Sequence, residues 1–172
     1  MATYTLISSV TLGSTSATIS FTSIPATYTD LCVLLSVRSN RAGATNDSLA
    51  LEVNGSTSNR SGVVGYGNSS VVASTTTTSE VVYAGLIAST ATANTFSNIS
   101  VYCPNYTSSN YKSFSSEGVS ENNSGVADSA FAGINSWVWS DSAAITSLTF
   151  KSATSNSFVQ YSNAYLYGIS NA

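Results

Sequence analysis

The chain has 172 residues, a formal net charge of −3, only five basic and eight acidic side chains, and no histidine. The absence of histidine disfavours an enzyme that moves protons near neutral pH, and the scattered basic residues disfavour binding to nucleic acid or to an acidic membrane surface. A hydrophobic content of 42% is too high for a disordered chain, so the composition indicates a single folded domain covering residues 1–172.

Apolar residues recur at every second position in the first third of the chain, which is the period of a β-strand. Asp30–Arg38 is apolar on nearly both faces and is therefore predicted to be a central strand. Ser48–Asn54 alternates cleanly and ends in Asn54 and Gly55, a strong turn signal because both residues tolerate positive φ. Strands are predicted here at Met1–Val10, Ala17–Ile24, Asp30–Arg38 and Ser48–Asn54.

Residues 62–79 carry the weakest pattern, with two pairs of valines and four consecutive threonines. The sequence leaves three structures open here: an extended loop, an edge hairpin, or an arm that crosses to a neighbouring subunit. If the segment is an arm, Val63, Val64, Val71 and Val72 are the side chains expected to be buried at the interface.

The remainder of the chain returns to short alternating segments separated by small polar residues. Strands are predicted at Glu80–Ile87, Phe96–Cys103, Tyr111–Ser120, Phe131–Trp139, Ile145–Lys151 and Phe158–Ile169. Loops are predicted at Asn105–Asn110 and Ser120–Ser129, and at most one helical turn is predicted, at Ser140–Ala144.

Roughly nine to eleven short strands with turn residues between them predict an all-β fold, an antiparallel sandwich or barrel. The side chains on the inward faces of the clearest strands form the predicted core. They are Leu31, Val33, Leu35, Leu51, Val53, Phe150 and Leu166.

No catalytic residue is predicted. A nucleophilic serine or cysteine lacks its imidazole base, and Lys112 and Lys151 lie in no recognisable motif. On one strand, Glu117 and Glu121 would share a face about 13 Å apart at ~3.3 Å per residue, which is too far for either route of glycoside hydrolysis. These carboxylates, with Asp128 and Asp141 nearby, are expected to solubilise loops.

No cofactor or metal site is predicted either. Cys32 and Cys103 lack the spacing of zinc ligands and are expected to be buried, reduced thiols, although the sequence leaves open whether they pair. Oxygen-rich stretches at 46–48 and 121–123 match no calcium-binding loop.

The aromatic residues leave three roles open. Trp137 and Trp139 share one strand face, and Tyr102, Tyr106 and Tyr111 surround one loop. Such side chains pack in cores, line subunit interfaces or stack on sugar rings.

Three different groups of motifs lie near the start, the middle and the end of the chain. They are Ile24–Leu31 (IPATYTDL) running into Arg38; Asn105–Tyr106, Lys112–Ser115 and Glu121–Asn123; and Trp139, Ala143–Thr146, Phe158–Ser162 and Leu166–Ile169. In these motifs, over nearly its whole length, the chain resembles a group of small structural proteins of tailed phages of cyanobacteria and marine bacteria. The motifs are structural, so no functional residue is carried over from that group.

The resemblance implies a jelly-roll-like sandwich without enzymatic activity. We therefore expect a capsid decoration (cement) protein, made in the host cytoplasm, that binds the major capsid protein on the outer surface of the virion as a homotrimer. The alternative is a tail-fibre module that recognises host surface polysaccharide. Its sign would be a shallow aromatic groove in which Trp137, Trp139 or the Tyr106 loop is exposed.

Overall fold

The computed structural model describes residues 2–68, 72–79, 81–121 and 130–170, which form β-strands and loops without a helix. Serine and threonine compete for backbone hydrogen bonds and therefore disfavour helix interiors. None of the described segments forms a helix able to cross a membrane. The strands are β1 (Thr3–Thr11), β2 (Thr18–Phe21), β3 (Asp30–Val37), β4 (Asn46–Val53), β5 (Arg60–Gly67), β6 (Val72–Thr77), β7 (Val81–Ile87), β8 (Ser97–Cys103), β9 (Lys112–Glu121), β10 (Ala130–Trp139), β11 (Leu148–Ser152) and β12 (Asn163–Ser170).

The strands form two antiparallel sheets that pack face to face as a sandwich. The long sheet has eight strands in the order β1-β12-β3-β8-β9-β10-β5-β6, and the short sheet has four in the order β2-β11-β4-β7. The first four strands of the long sheet, and the four of the short sheet, follow the two strand orders of a jelly roll. The predicted all-β antiparallel sandwich of jelly-roll type is confirmed.

The long sheet is extended by two pairs of consecutive strands. β9 and β10, which lie between β8 and β11 in the chain, continue the sheet beyond β8. β5 and β6, which lie between β4 and β7, continue it beyond β10. Twelve strands in the described residues exceed the roughly nine to eleven expected. The two additional strands are β5 and β6, and every other strand overlaps a predicted one.

The described parts of residues 62–79 form an edge hairpin. β5 pairs with β10 from Arg60 to Gly67, and β6 pairs with β5. Val63 and Val72 are exposed, Val64 is fully buried, and Val71 lies outside the described residues. The expectation of a buried interface is therefore wrong for Val64, which belongs to the sandwich, and deleting the whole segment would remove β6 and most of β5 from the long sheet.

The core lies between the short sheet and the inner face of the long sheet. All seven predicted core side chains are 2% exposed or less, which confirms that prediction. On β3, for example, Leu31, Val33 and Leu35 point inward, and Leu34 points to the opposite face. These side chains belong to one cluster of buried residues that draws on both sheets.

Two terminal strands differ from their predicted patterns. The period of two predicts that Tyr4, Leu6, Ser8 and Val10 share one face of β1. A bulge between Leu6 and Ser8 breaks this pattern, so that Leu6 lies on the outer side of the sheet and Val10 packs against the core. β12 begins at Asn163 instead of Phe158, because Tyr161 adopts a positive φ of 71° that interrupts the extended chain.

The predicted turns and loops behave in different ways. Asn54 and Gly55 have positive φ values of 51° and 74°, which confirms the turn, but the chain then crosses to the long sheet instead of returning beside β4. Residues 140–144 form no helical turn; the Asp141 carboxylate accepts a 2.8 Å hydrogen bond from the amide of Ala143 instead. Asn105–Asn110 is a loop as predicted, and residues 122–129 of the second predicted loop lie outside the described residues.

Candidate functional site

The two tryptophans are core residues. Trp137 and Trp139 are 6% and 1% exposed, and they point from β10 to the inner side of the long sheet. The ring of Phe114 stacks on that of Trp137 with centroids 3.9 Å apart, and the guanidinium carbon of Arg60 lies 4.7 Å from the Trp137 centroid. Tyr106 is also fully buried, and its hydroxyl donates to the carbonyl of Pro25. These three aromatic side chains therefore form no ligand platform.

The two lysines are engaged within the chain. Lys112 is buried, and its Nζ donates to the carbonyls of Asn110 at 2.6 Å and Asp141 at 3.4 Å. Burial lowers the pKa of Lys112 below its ordinary value. Lys151 forms a 2.5 Å ion pair with Glu52 on the short sheet. Both side chains thus support loops or strands of the sandwich.

The two cysteines are free thiols on neighbouring strands and opposite faces of the long sheet. Cys103 is buried on the inner face of β8, whereas Cys32 lies half-buried on the outer face of β3. Burial raises the pKa of Cys103 to about 12 and also raises that of Cys32, so neither is a reactive thiolate at neutral pH. The expectation of two buried thiols is correct for Cys103 and only partly so for Cys32.

Two carboxylates serve as internal hydrogen-bond acceptors. Asp30 accepts from the hydroxyl of Tyr102 at 2.8 Å and from the amide of Asn105 at 2.9 Å. Asp47 accepts from the hydroxyls of Ser152 and Thr154 at 2.8 and 2.7 Å. The Asp47 carboxylate thereby ties the stretch 46–48 to Ser152 and Thr154 at the end of β11. The stretch 121–123 extends outside the described residues, and the described part holds no cluster of three potential metal ligands.

The outer face of the long sheet, the side turned away from the short sheet, carries most of the exposed apolar surface. Ten large hydrophobic side chains are exposed in the described residues, and eight of them lie on this face. The eight are Tyr4, Leu6, Leu34, Val63, Val72, Val119, Ile134 and Tyr165. Soluble proteins seldom expose apolar groups together on one face unless a partner covers them.

These side chains form two patches. The first lies on β1, β12 and β3, where Leu34 is directly opposite Tyr165. The second lies on the extension formed by β9, β10, β5 and β6. In its central row Ile134 is opposite both Glu117 on β9 and Gly65 on β5, so the register alone brings these three residues side by side.

A trough of about 800 Å³ crosses the second patch. Its floor is the outer face of β5, where Gly65 and Gly67 contribute no side chain. Val72 and Ser74 of β6 form one wall, and Ala132 and Ile134 of β10 form the other. Val119, Glu117, Asn98 and Ser100 continue the lining beyond β10. Its volume and its largely apolar lining lie within the range of ligand-binding clefts, which makes it the candidate site.

A second hollow of about 650 Å³ adjoins the trough on the same face. Its outward side chains are hydroxyls and small apolar groups, among them Val63, Tyr102, Ser115, Ser136 and Val138. The outer face of β8, β9, β10 and β5 therefore has two neighbouring hollows, and neither is lined by a basic side chain.

Sequence reasoning did not identify this site. Ile134 and Trp137 lie on opposite faces of β10. The sequence favours Trp137 over Ile134 as a possible ligand contact, but the face that carries Trp137 is buried. A usable signal was present in Gly65 and Gly67, because glycines within a strand leave room above its outward face.

Comparison of the chain with protein-family models, with curated proteins and with solved structures found no match. The fold is therefore defined by its own strand order, that of a jelly-roll sandwich with an extended sheet.

Proposed function

We propose that the chain is a capsid decoration protein of a tailed phage that binds the major capsid protein on the outside of the shell. The observation that carries this proposal is the outer face of the long sheet, which gathers eight exposed large hydrophobic side chains in the described residues. Such a face fits a broad protein surface better than a small ligand, because its exposed apolar side chains lie on seven of the eight strands. The resemblance to virion proteins supplies the choice of partner.

The mechanism would be thermodynamic. A protein that binds the assembled lattice but not the free subunits stabilises the lattice by mass action. Apolar area buried against the shell contributes about 25 cal/mol per Å² before the costs of association are subtracted. The net charge of −3 limits electrostatic repulsion between closely spaced copies.

A homotrimer remains part of the proposal. β1 and β6 form the two ends of the long sheet, and each pairs on one side only within the described residues. Unpaired strand edges are usually covered or paired in natural proteins, and association of three copies through an edge would do so.

The expected sign of the tail-fibre alternative, a shallow aromatic groove with Trp137, Trp139 or the Tyr106 loop exposed, is met only in part. The three aromatic side chains are buried, whereas residues 105, 107, 109 and 110 of the loop are exposed. The exposed tyrosines of the outer face, Tyr4 and Tyr165, belong to the first patch.

The test is the copy number of the protein in purified virions, measured by quantitative mass spectrometry against the major capsid protein. A decoration protein is expected in amounts comparable with the capsid protein, and particles that lack it should assemble yet release DNA at lower temperature. A copy number typical of tail parts, with normal particle stability and failed adsorption to cells, would contradict the proposal.

A further inference from the structure

Glu117 differs from the other carboxylates whose side chains the structure describes. It is exposed at the middle of the outer face and has no hydrogen-bond or ion-pair partner among the described residues. The other four carboxylates are engaged within the chain: Asp30 with Tyr102, Asp47 with Ser152, Glu52 with Lys151, and Asp141 with Ala143. An unpaired carboxylate beside an apolar trough is complementary to a cation from outside.

A second copy of this chain is poorly suited to supply that cation, because all five basic side chains already contact their own chain. Four of them bind backbone carbonyls: Arg38 those of Thr92 and Ala91, Arg41 that of Asn46, Lys112 that of Asn110, and Arg60 that of Ser56. Arg41 lies 4.0 Å from Asp47, and Lys151 pairs with Glu52. Charge complementarity therefore points to a different protein as the partner.

The shape of the trough selects an extended segment. Its walls on β6 and β10 are two strand spacings apart, about 10 Å, which admits one extended chain above the glycine floor of β5. Side chains of such a segment would contact Val72 on one wall and Ile134 on the other. Small aliphatic residues fit this space, since the floor has no side chains at Gly65 and Gly67.

Ile134 connects the trough to the carboxylate. It is 67% exposed and lies between Gly65 and Glu117 in the same cross-strand row. The methylene stem of a lysine or arginine can cover an apolar side chain of this kind while its charged head reaches onward. A cationic residue of the segment, next to the small residue that faces Gly65, would thus lie over Ile134 and reach Glu117.

We propose that the trough binds an extended segment of another protein, with small aliphatic residues over Gly65 and Gly67 and a lysine or arginine that crosses Ile134 to pair with Glu117. This inference deepens the proposed function and rests on it in one respect, because it takes the partner to be the capsid protein. The chemistry of the trough can be tested without particles.

The first experiment uses two blocked model peptides, SVAKAVS and SVAQAVS, titrated into the ¹⁵N-labelled protein. The lysine peptide is expected to shift the amide signals of the trough glycines, Gly65, Gly67, Gly118 and Gly133, and to bind about two- to fivefold more tightly than the glutamine peptide, in line with an exposed ion pair. Added salt should reduce that difference. Shifts elsewhere on the protein, no shifts, or equal affinities would overturn the proposal.

Three variants sharpen the experiment. Glu117→Gln should abolish the preference for the lysine peptide, whereas the matched control Glu52→Gln, on the short sheet, should retain it. Gly65→Ala should weaken both peptides by filling the floor. A Cβ at this position would lie 3.4 Å from the Ile134 side chain, an ordinary contact that keeps the fold intact. Unchanged binding by both Glu117→Gln and Gly65→Ala would overturn the proposal.

Particle binding separates this inference from the proposed function. If Glu117→Lys lowers occupancy on virions lacking the native protein and Glu52→Lys does not, the trough is the capsid contact. If wild-type and Glu117→Lys proteins bind virions equally, the trough assignment fails although decoration stands. If the wild-type protein is not a component of the virion but the peptide results hold, the proposal of a decoration protein fails and the trough binds a partner other than the capsid protein.

Discussion

The ring of Tyr28 occupies the space that a side chain at Gly168 would need. A Cβ placed on Gly168 would lie 2.2 to 2.6 Å from three ring carbons of Tyr28, which is closer than two non-bonded carbon atoms can approach. Tyr28 belongs to the first group of sequence motifs, in Ile24–Leu31, and Gly168 to the last, in Leu166–Ile169. Motifs that are far apart in the sequence thus meet in the sandwich, which gives them a packing role.

Gly168→Ala should therefore destabilise the protein by about 1–3 kcal/mol, the usual cost of overpacking. Chemical denaturation measures the loss. The double variant with Tyr28→Ala should recover part of it, because the obstructing ring is gone. Gly13→Ala is the matched control, since nothing lies within 4 Å of its added Cβ. Equal stabilities for the two alanine variants would contradict the packing role.

Leu34 and Leu35 are adjacent leucines on opposite faces of β3. Leu35 is 2% exposed and Leu34 is 42% exposed. Leu35→Ala should lower the free energy of unfolding by about 2–5 kcal/mol, because it leaves a cavity in a packed core. Leu34→Ala should cost well under half as much in the same denaturation experiment. The reverse order would show that the faces of the long sheet are assigned the wrong way round.

These two leucines also show how far the sequence predicts the fold. The period of two in β3 and β4 predicts both strands and their buried side chains, because alternation reflects burial on one face. Residues 62–79 do not follow that rule. β5 has glycines where an outward side chain would stand, and β6 is rich in threonine at an exposed edge, so neither shows a hydrophobic alternation.

The trough was unpredictable for a different reason. Glu117, Ile134 and Gly65 lie far apart in the sequence and meet only through the register of three strands. Local sequence patterns do not show which strands pair with each other in a sheet. The aromatic hypothesis had the same limit, since Trp137 and Ile134 are equally compatible with either face until the partner strands are known.

Stability should fall in the alkaline range. Burial raises the pKa of Cys103 from its ordinary 9.0 to about 12, so the unfolded chain releases this proton at lower pH than the folded chain. The stabilisation is fully present below pH 9 and is lost as the pH rises towards 12. Denaturation midpoints from pH 8 to pH 11 measure the loss. Cys103→Ala should reduce the slope, and an unchanged slope would contradict this assignment.

Reducing agents should leave the melting temperature unchanged. Cys32 and Cys103 are free thiols that point to opposite faces of the long sheet, so no disulfide joins them. Thermal melts with and without dithiothreitol, and with and without a chelator, provide the check. A large drop in Tm with either reagent would show that a disulfide or a metal supports the fold.

The most direct test of the proposed function is a binding measurement on virions that lack the native protein. Wild-type protein, Ile134→Asp and the control Ser20→Asp, which lies on the short sheet, are added back and the bound copies are counted. Wild type and Ser20→Asp should bind in amounts comparable with the capsid protein and restore heat resistance, whereas Ile134→Asp should bind far less, because a charge replaces an apolar contact in the central row of the second patch. Equal binding by all three proteins, or binding by none, would contradict a decoration protein that uses this face.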